Sequence, residues 1–134
     1  MIIKILRLMK IEKYILAINF EANQSHFIKV SLESNSSLKV ITTESISHGV
    51  LFVKNYIPDA IIIDIMIPDS DKFTFFKELK NDLSTRKIPI ILLIDKVQKI
   101  NFNQLIHLNI VGIISKPFEI LKLADRLAEL MEWK

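Results

Sequence analysis

Three short runs, Ile15–Ile18 (ILAI), Ala60–Ile63 (AIII) and Ile90–Ile94 (IILLI), are apolar at every position. A strand with one wet face alternates apolar and polar residues; a strand apolar throughout needs cover on both faces, as in a parallel sheet between layers of helices. The full strand candidates are Tyr14–Asn19, Leu38–Thr42, Ala60–Asp64, Ile90–Ile94 and Ile110–Ile114. Helix candidates fall between and after them, near 23–34, 44–55, 72–82, 101–108 and 119–132. The last is the clearest. Ile120, Leu123, Ala124, Leu127, Leu130 and Met131 follow the helical period, with Lys122, Asp125, Arg126 and Glu129 on the other face. Five alternations of strand and helix predict a doubly wound α/β sandwich joined by right-handed crossovers.

The length, 134 residues, fits one domain with a real core. Half the residues are hydrophobic and a quarter are charged, an ordinary globular balance. With no cysteine, neither a disulfide framework nor a thiolate metal site is available, which agrees with a cytoplasmic protein. The net charge of +3 is mild and spread along the chain, so neither nucleic acid nor membrane is the expected partner. The start, MIIKILRLMKIEK, lacks the unbroken apolar core and small-residue cleavage site of a signal peptide, and is too short and charged to span a bilayer. It reads as an N-terminal extension, 1–12, that packs on the fold or on a partner ahead of a domain at 13–134, with a membrane-surface anchor as the lesser alternative.

In an open α/β sheet, function collects at the carboxyl ends of the strands. There the first strand leads into Asn19, Phe20 and Glu21, and the third ends on Asp64 with Pro68 four residues on. The fourth runs through Ile94 to Asp95, and the fifth is followed by Ser115–Phe118 (SKPF). A carboxylate closing a buried strand is costly unless something pairs with it. Lys116, at a neighbouring strand end, is the expected partner of Asp64, in an ion pair or hydrogen bond that extends to Asp95.

These segments resemble the receiver domain of bacterial two-component response regulators over roughly residues 13–132. PDAIIIDIMIPDSDKF resembles the family's phospho-acceptor segment, and IPIILLIDK its fourth strand and following turn. IVGIISKPFEILKLADRLAEL resembles its fifth strand, Lys-Pro turn and last helix. The spacings agree: Asn19 lies 45 residues before Asp64, Ile94 lies 30 after it and Lys116 lies 52 after it. The resemblance implies a flavodoxin-like five-stranded parallel sheet and a stand-alone signalling module that is not an enzyme. It also implies a histidine kinase or phosphotransfer protein as donor and a downstream protein as target. Asp64 then matches the phospho-acceptor, an oxygen nucleophile. Met66 matches the residue whose backbone carbonyl holds a magnesium ion, Lys116 the lysine that pairs with the acceptor or its phosphate, and Pro117 a cis proline. Receivers commonly pair through one face, matched here by Phe102–Leu108, Ile110–Ile114 and Glu119–Met131, which makes a homodimer an option.

Other positions depart from the family. Asn19 and Phe20 stand where it has an acidic pair that ligates magnesium, and Phe20 has no oxygen to give; Glu21 is one residue further along. Ile94 stands at the switch hydroxyl, Ile113 at the switch aromatic, Asp95 at a small residue guarding the acceptor, and Lys72 at a usual glycine. Two readings follow. In one the chain is a pseudo-receiver with an impaired magnesium site that acts by docking to other proteins. In the other Asp64 still accepts phosphate with weakly held magnesium. A flavin- or nucleotide-binding role on the same fold is set aside, because no glycine-rich loop follows the first strand.

His26, His48 and His107 fall on different predicted helices without ligand spacing and read as surface or packing residues. Asp69, Ser70 and Asp71 read as a solvated polar loop. Trp133 caps the core or marks a contact.

Overall fold

The computed structural model describes residues 13–18, 22–34, 38–64, 69–95, 102–116 and 122–131. The chain alternates β1 (Lys13–Ile18), α1 (Ala22–Ser34), β2 (Leu38–Thr43), α2 (Ile46–Tyr56), β3 (Ala60–Asp64), α3 (Asp69–Lys80), β4 (Pro89–Asp95), a 3-10 helix (Phe102–Leu105), β5 (Asn109–Lys116) and α4 (Leu123–Met131). The sheet is five-stranded and parallel, in the order β2-β1-β3-β4-β5. Its centre is β3, four apolar residues closed by Asp64 and buried along its whole length.

Because successive strand residues point to opposite faces, each central strand feeds two cores. On one face Ile15, Ala17, Ile62, Ile91 and Leu93 meet Ile28 and Leu32 of α1 and Leu123 and Leu127 of α4. On the other, Leu16, Ile18, Ile61, Ile63 and Leu92 meet Val53 of α2, Phe75, Phe76 and Leu79 of α3, and Leu105 of the 3-10 helix. Helices on both faces are the cover that ILAI, AIII and IILLI require.

Three expectations need correction. A fourth full helix over 101–108 is replaced by four residues of 3-10 helix. The Leu108 N–H donates to Leu105 O, an i→i+3 bond at 3.1 Å, and His107 takes φ 72°, a left-handed turn that ends helical growth before it reaches His107. Asp69, Ser70 and Asp71 open α3 instead of forming a loop, since carboxylates suit the positive end of a helix. The fifth strand runs on through Ser115 and Lys116, so both are strand residues, because β4 pairs with β5 as far as Asp95. Elsewhere the expected and observed boundaries differ by a few residues, and α2 starts where Ser45 caps it, its hydroxyl oxygen accepting from the His48 N–H.

Candidate functional site

Asp64 is the last residue of β3 and is 3% exposed. It pairs in register with Leu93 of β4, and Leu93 pairs with Ile114 of β5. Two residues beyond that row, Asp95 pairs with Lys116, so the backbones of these two residues lie side by side just past the level of Asp64. On the other flank, Ile18 ends β1 opposite Ile63, one residue before Asp64. The structure thus brings the ends of β3, β4 and β5 together at one rim. The side chains of Asp95 and Lys116 lie outside the described residues, as do Asn19, Phe20, Glu21, Met66 and Pro117 entirely. The expected Asp64–Lys116 pairing, the metal ligands and the cis proline therefore rest on groups outside the described residues.

The positions matched to the family's switch are both aliphatic and both described. Ile94 is half-buried and packs on the cluster of Leu92, Phe75 and Leu105. Ile113 pairs with Leu92, a member of that cluster, and is 39% exposed. Lys72 is half-buried in the first turn of α3.

Magnesium takes near-octahedral oxygen ligands and relies on one or two carboxylates. Asp64 supplies one, but among the described residues no three His, Asp or Glu side chains gather closely enough to hold a metal ion. No helix among them is long and apolar enough to cross a membrane.

One feature escaped sequence reasoning. A cavity of about 580 Å³ opens at the carboxyl end of β2, lined by His26 and Lys29 of α1, Thr42, Thr43, Glu44, Ser45, and His48 of α2. His26 and His48, separated in sequence by all of β2, share it; His107 lies apart, after the 3-10 helix. No spacing rule links residues across an intervening strand, so the sequence held no signal for this grouping. Much of the lining is already bonded. Lys29 Nζ donates to the Val40 carbonyl at 2.8 Å, and Thr43 Oγ1 accepts from the Ser45 N–H at 3.0 Å.

Residues 15–128 match the family of the response regulator receiver domain. The phosphate regulon transcriptional regulatory protein PhoB of Pseudomonas aeruginosa is 30% identical over 115 residues, 86% of this chain and 50% of its own length. The KDP operon transcriptional regulatory protein KdpE of Escherichia coli is 26% identical over 113 residues, 84% of this chain and 48% of its own. The chain thus spans about half the length of these curated relatives. Among solved structures, the receiver domain of the sensor histidine kinase PA1611 from Pseudomonas aeruginosa, with magnesium in its active-site cleft, superposes with a TM-score of 0.74 at 20% identity. That match covers 90% of this chain and 98% of that one. The chemotaxis response regulator CheY4 of Vibrio cholerae follows at a TM-score of 0.71 and 18% identity, covering 89% and 98%. At such identities the structures speak for the fold, which is the one built above from buried strands and two-sided cover. The sequence match over most of the chain goes further: this chain belongs to the response regulator receiver domain family of two-component signalling.

Proposed function

We propose that the chain is a pseudo-receiver, which keeps the acceptor position and acts by docking to signalling proteins without a phosphorylation-driven switch. The observation that carries this reading is the pair Ile94 and Ile113. In the family a hydroxyl closes on the phosphoryl group and an aromatic ring follows it. Here one isoleucine packs half-buried on the α3-side core and the other stands partly exposed, and neither offers a hydroxyl or a ring.

The ligand chemistry supports the same reading. With Asn19 and Phe20 at the acidic pair, the donor set is a poor match for a hard cation, which leaves Asp64, Glu21 and the Met66 carbonyl as its oxygens. In receivers the cation neutralises charge on the transferring phosphoryl group. Lys116 is then the cation that pairs with Asp64, and Asp95, beside it in register, repels an arriving phosphate. Docking uses the face built from 102–108, β5 and 119–131, either toward a kinase, phosphotransfer protein or target, or toward a second copy of the chain. Residues 1–12, which read from the sequence as an extension, lie outside the described residues.

The second reading, a working phospho-acceptor, rests on Asp64 itself, which closes the central strand at the rim where the ends of β4 and β5 meet. One experiment separates the two. The protein is incubated with acetyl phosphate or phosphoramidate and magnesium, and its intact mass is measured beside Asp64→Asn. The pseudo-receiver shows no phosphate-sized gain. A gain that disappears in Asp64→Asn establishes the second reading, and magnesium titration calorimetry on the same pair of proteins then measures the metal site directly.

A further inference from the structure

β2 is outermost in the sheet, so one of its edges has no strand beside it among the described residues, and such an edge is a template for another chain. In a parallel strand the N–H and C=O of one residue leave on the same side, and alternate residues serve alternate neighbours. Val40 turns both groups outward, and both are already taken. Its N–H donates to the Glu33 carboxylate at 2.9 Å, and its carbonyl accepts from Lys29 Nζ at 2.8 Å. Lys29 and Glu33 lie one turn apart on α1 and bond each other at 3.1 Å. Two charge-assisted bonds, held in place by the Lys29–Glu33 pair, therefore fill the middle rung of a six-residue edge.

This closure is displaceable. The Lys29 and Glu33 side chains are 45% and 25% exposed, and the rest of the strand presents the exposed Lys39 and Ile41. An incoming strand would exchange two charge-assisted bonds for two neutral backbone ones at this rung, so the closed edge wins while the pair is intact. Antiparallel pairing of two β2 strands about Val40 would set Lys39 opposite Ile41 and Leu38 opposite Thr42. No like charges meet, so β2 is complementary to itself.

We propose that the Lys29–Glu33 pair is a lock on the outer edge of β2, and that this edge, once unlocked, takes β2 of a second copy of the chain into one continuous sheet. This surface is separate from the face around β5 and α4, which lies at the opposite end of the strand order.

The test is sedimentation velocity on the full chain and on Lys29→Ala/Glu33→Ala, from low micromolar to near-millimolar concentration. Alanine favours helix, so α1 is retained. The double variant is expected to self-associate at least about tenfold more tightly than wild type. Adding Thr42→Pro removes an outward N–H at a position where an edge strand tolerates proline, and is expected to return association to the wild-type level. A folded double variant that associates no more than wild type overturns the lock. Extra association that survives Thr42→Pro overturns the β2 route. Should circular dichroism show that the alanine pair does not fold, Lys29→Met/Glu33→Met keeps most of the bulk and the helix propensity, removes both the charges and the groups that bond Val40, and is judged by the same two criteria.

Discussion

His107 and Ile57 have positive φ, 72° and 37°, and the same replacement affects them differently. Left-handed backbone costs an L-residue about 1–2 kcal/mol, while glycine gives back about 0.5–1 kcal/mol through the freedom of its unfolded chain. The His107 side chain is exposed, so His107→Gly sacrifices no burial and is expected to gain about 0.5 kcal/mol. Ile57 is half-buried against the α3-side core. Part of the roughly 1.5–3 kcal/mol that burial of such a side chain contributes is lost with it, so Ile57→Gly is expected to be neutral or mildly destabilising. Urea midpoints of the two variants check the contrast, and a His107→Gly less stable than wild type would refute it. Residue by residue, legibility followed from locality. Asp64 could be found because an acid closing an otherwise apolar run is visible in five consecutive letters. The neighbourhood of His26 and His48 could not, since it exists only once β2 has been laid between them.

Among the elements, the five strands and the first three helices could be read from periodicity, because each buries a continuous apolar stripe or run. So could α4, but the segment expected as a helix over 101–108 could not. FNQLIHLNI carries enough apolar residues to imitate a helix, yet the chain turns at His107 to enter β5. β5 holds a second irregularity. Ile90 pairs with Ile110 but Ile91 pairs with Gly112, so Val111 is an extra, bulged residue. Gly112 beside it lies under α4: a Cβ there would come within 2.6 Å of Leu130 Cδ1 and 2.8 Å of Cδ2. The glycine lets the helix approach the strand. Gly112→Ala is expected to cost about 1–3 kcal/mol as an overpacked contact. Because the clash is with the tip of one side chain, Leu130→Ala in the same chain should recover part of that cost. A double-mutant cycle on denaturation midpoints measures the coupling, and strictly additive costs would show that the close approach has no energetic weight.

Over the whole molecule, stability in acid depends on carboxylates held ionised by the fold. Burial pushes the Glu33 carboxyl up, but the Val40 amide, the Lys29 ammonium and the charge of Lys39 outweigh it, and its pKa lies below the ordinary value. Glu78 is lowered by the bond and charge of Lys54, which ties α2 to α3 at 2.8 Å. Asp82 is lowered by the hydroxyl and amide of Ser84. All three shifts have the same sign. A carboxyl whose folded pKa is depressed contributes stability that is present above its unfolded value and is lost as pH falls through the folded one. The molecule is therefore expected to hold a level melting temperature from neutral pH down to about 5, and then to lose it progressively below the ordinary Glu and Asp range near 4. Glu33 is the informative member, since its bonds join α1 to the outer strand. In dilute solution Glu33→Gln should melt below wild type at pH 7. The two curves should converge as the solution is acidified, because protonation removes from wild type what the substitution has already removed. A gap of constant size from pH 7 to 3 would mean that the Glu33 charge does not stabilise the fold, and that its carboxyl serves only as a neutral acceptor for the Val40 amide.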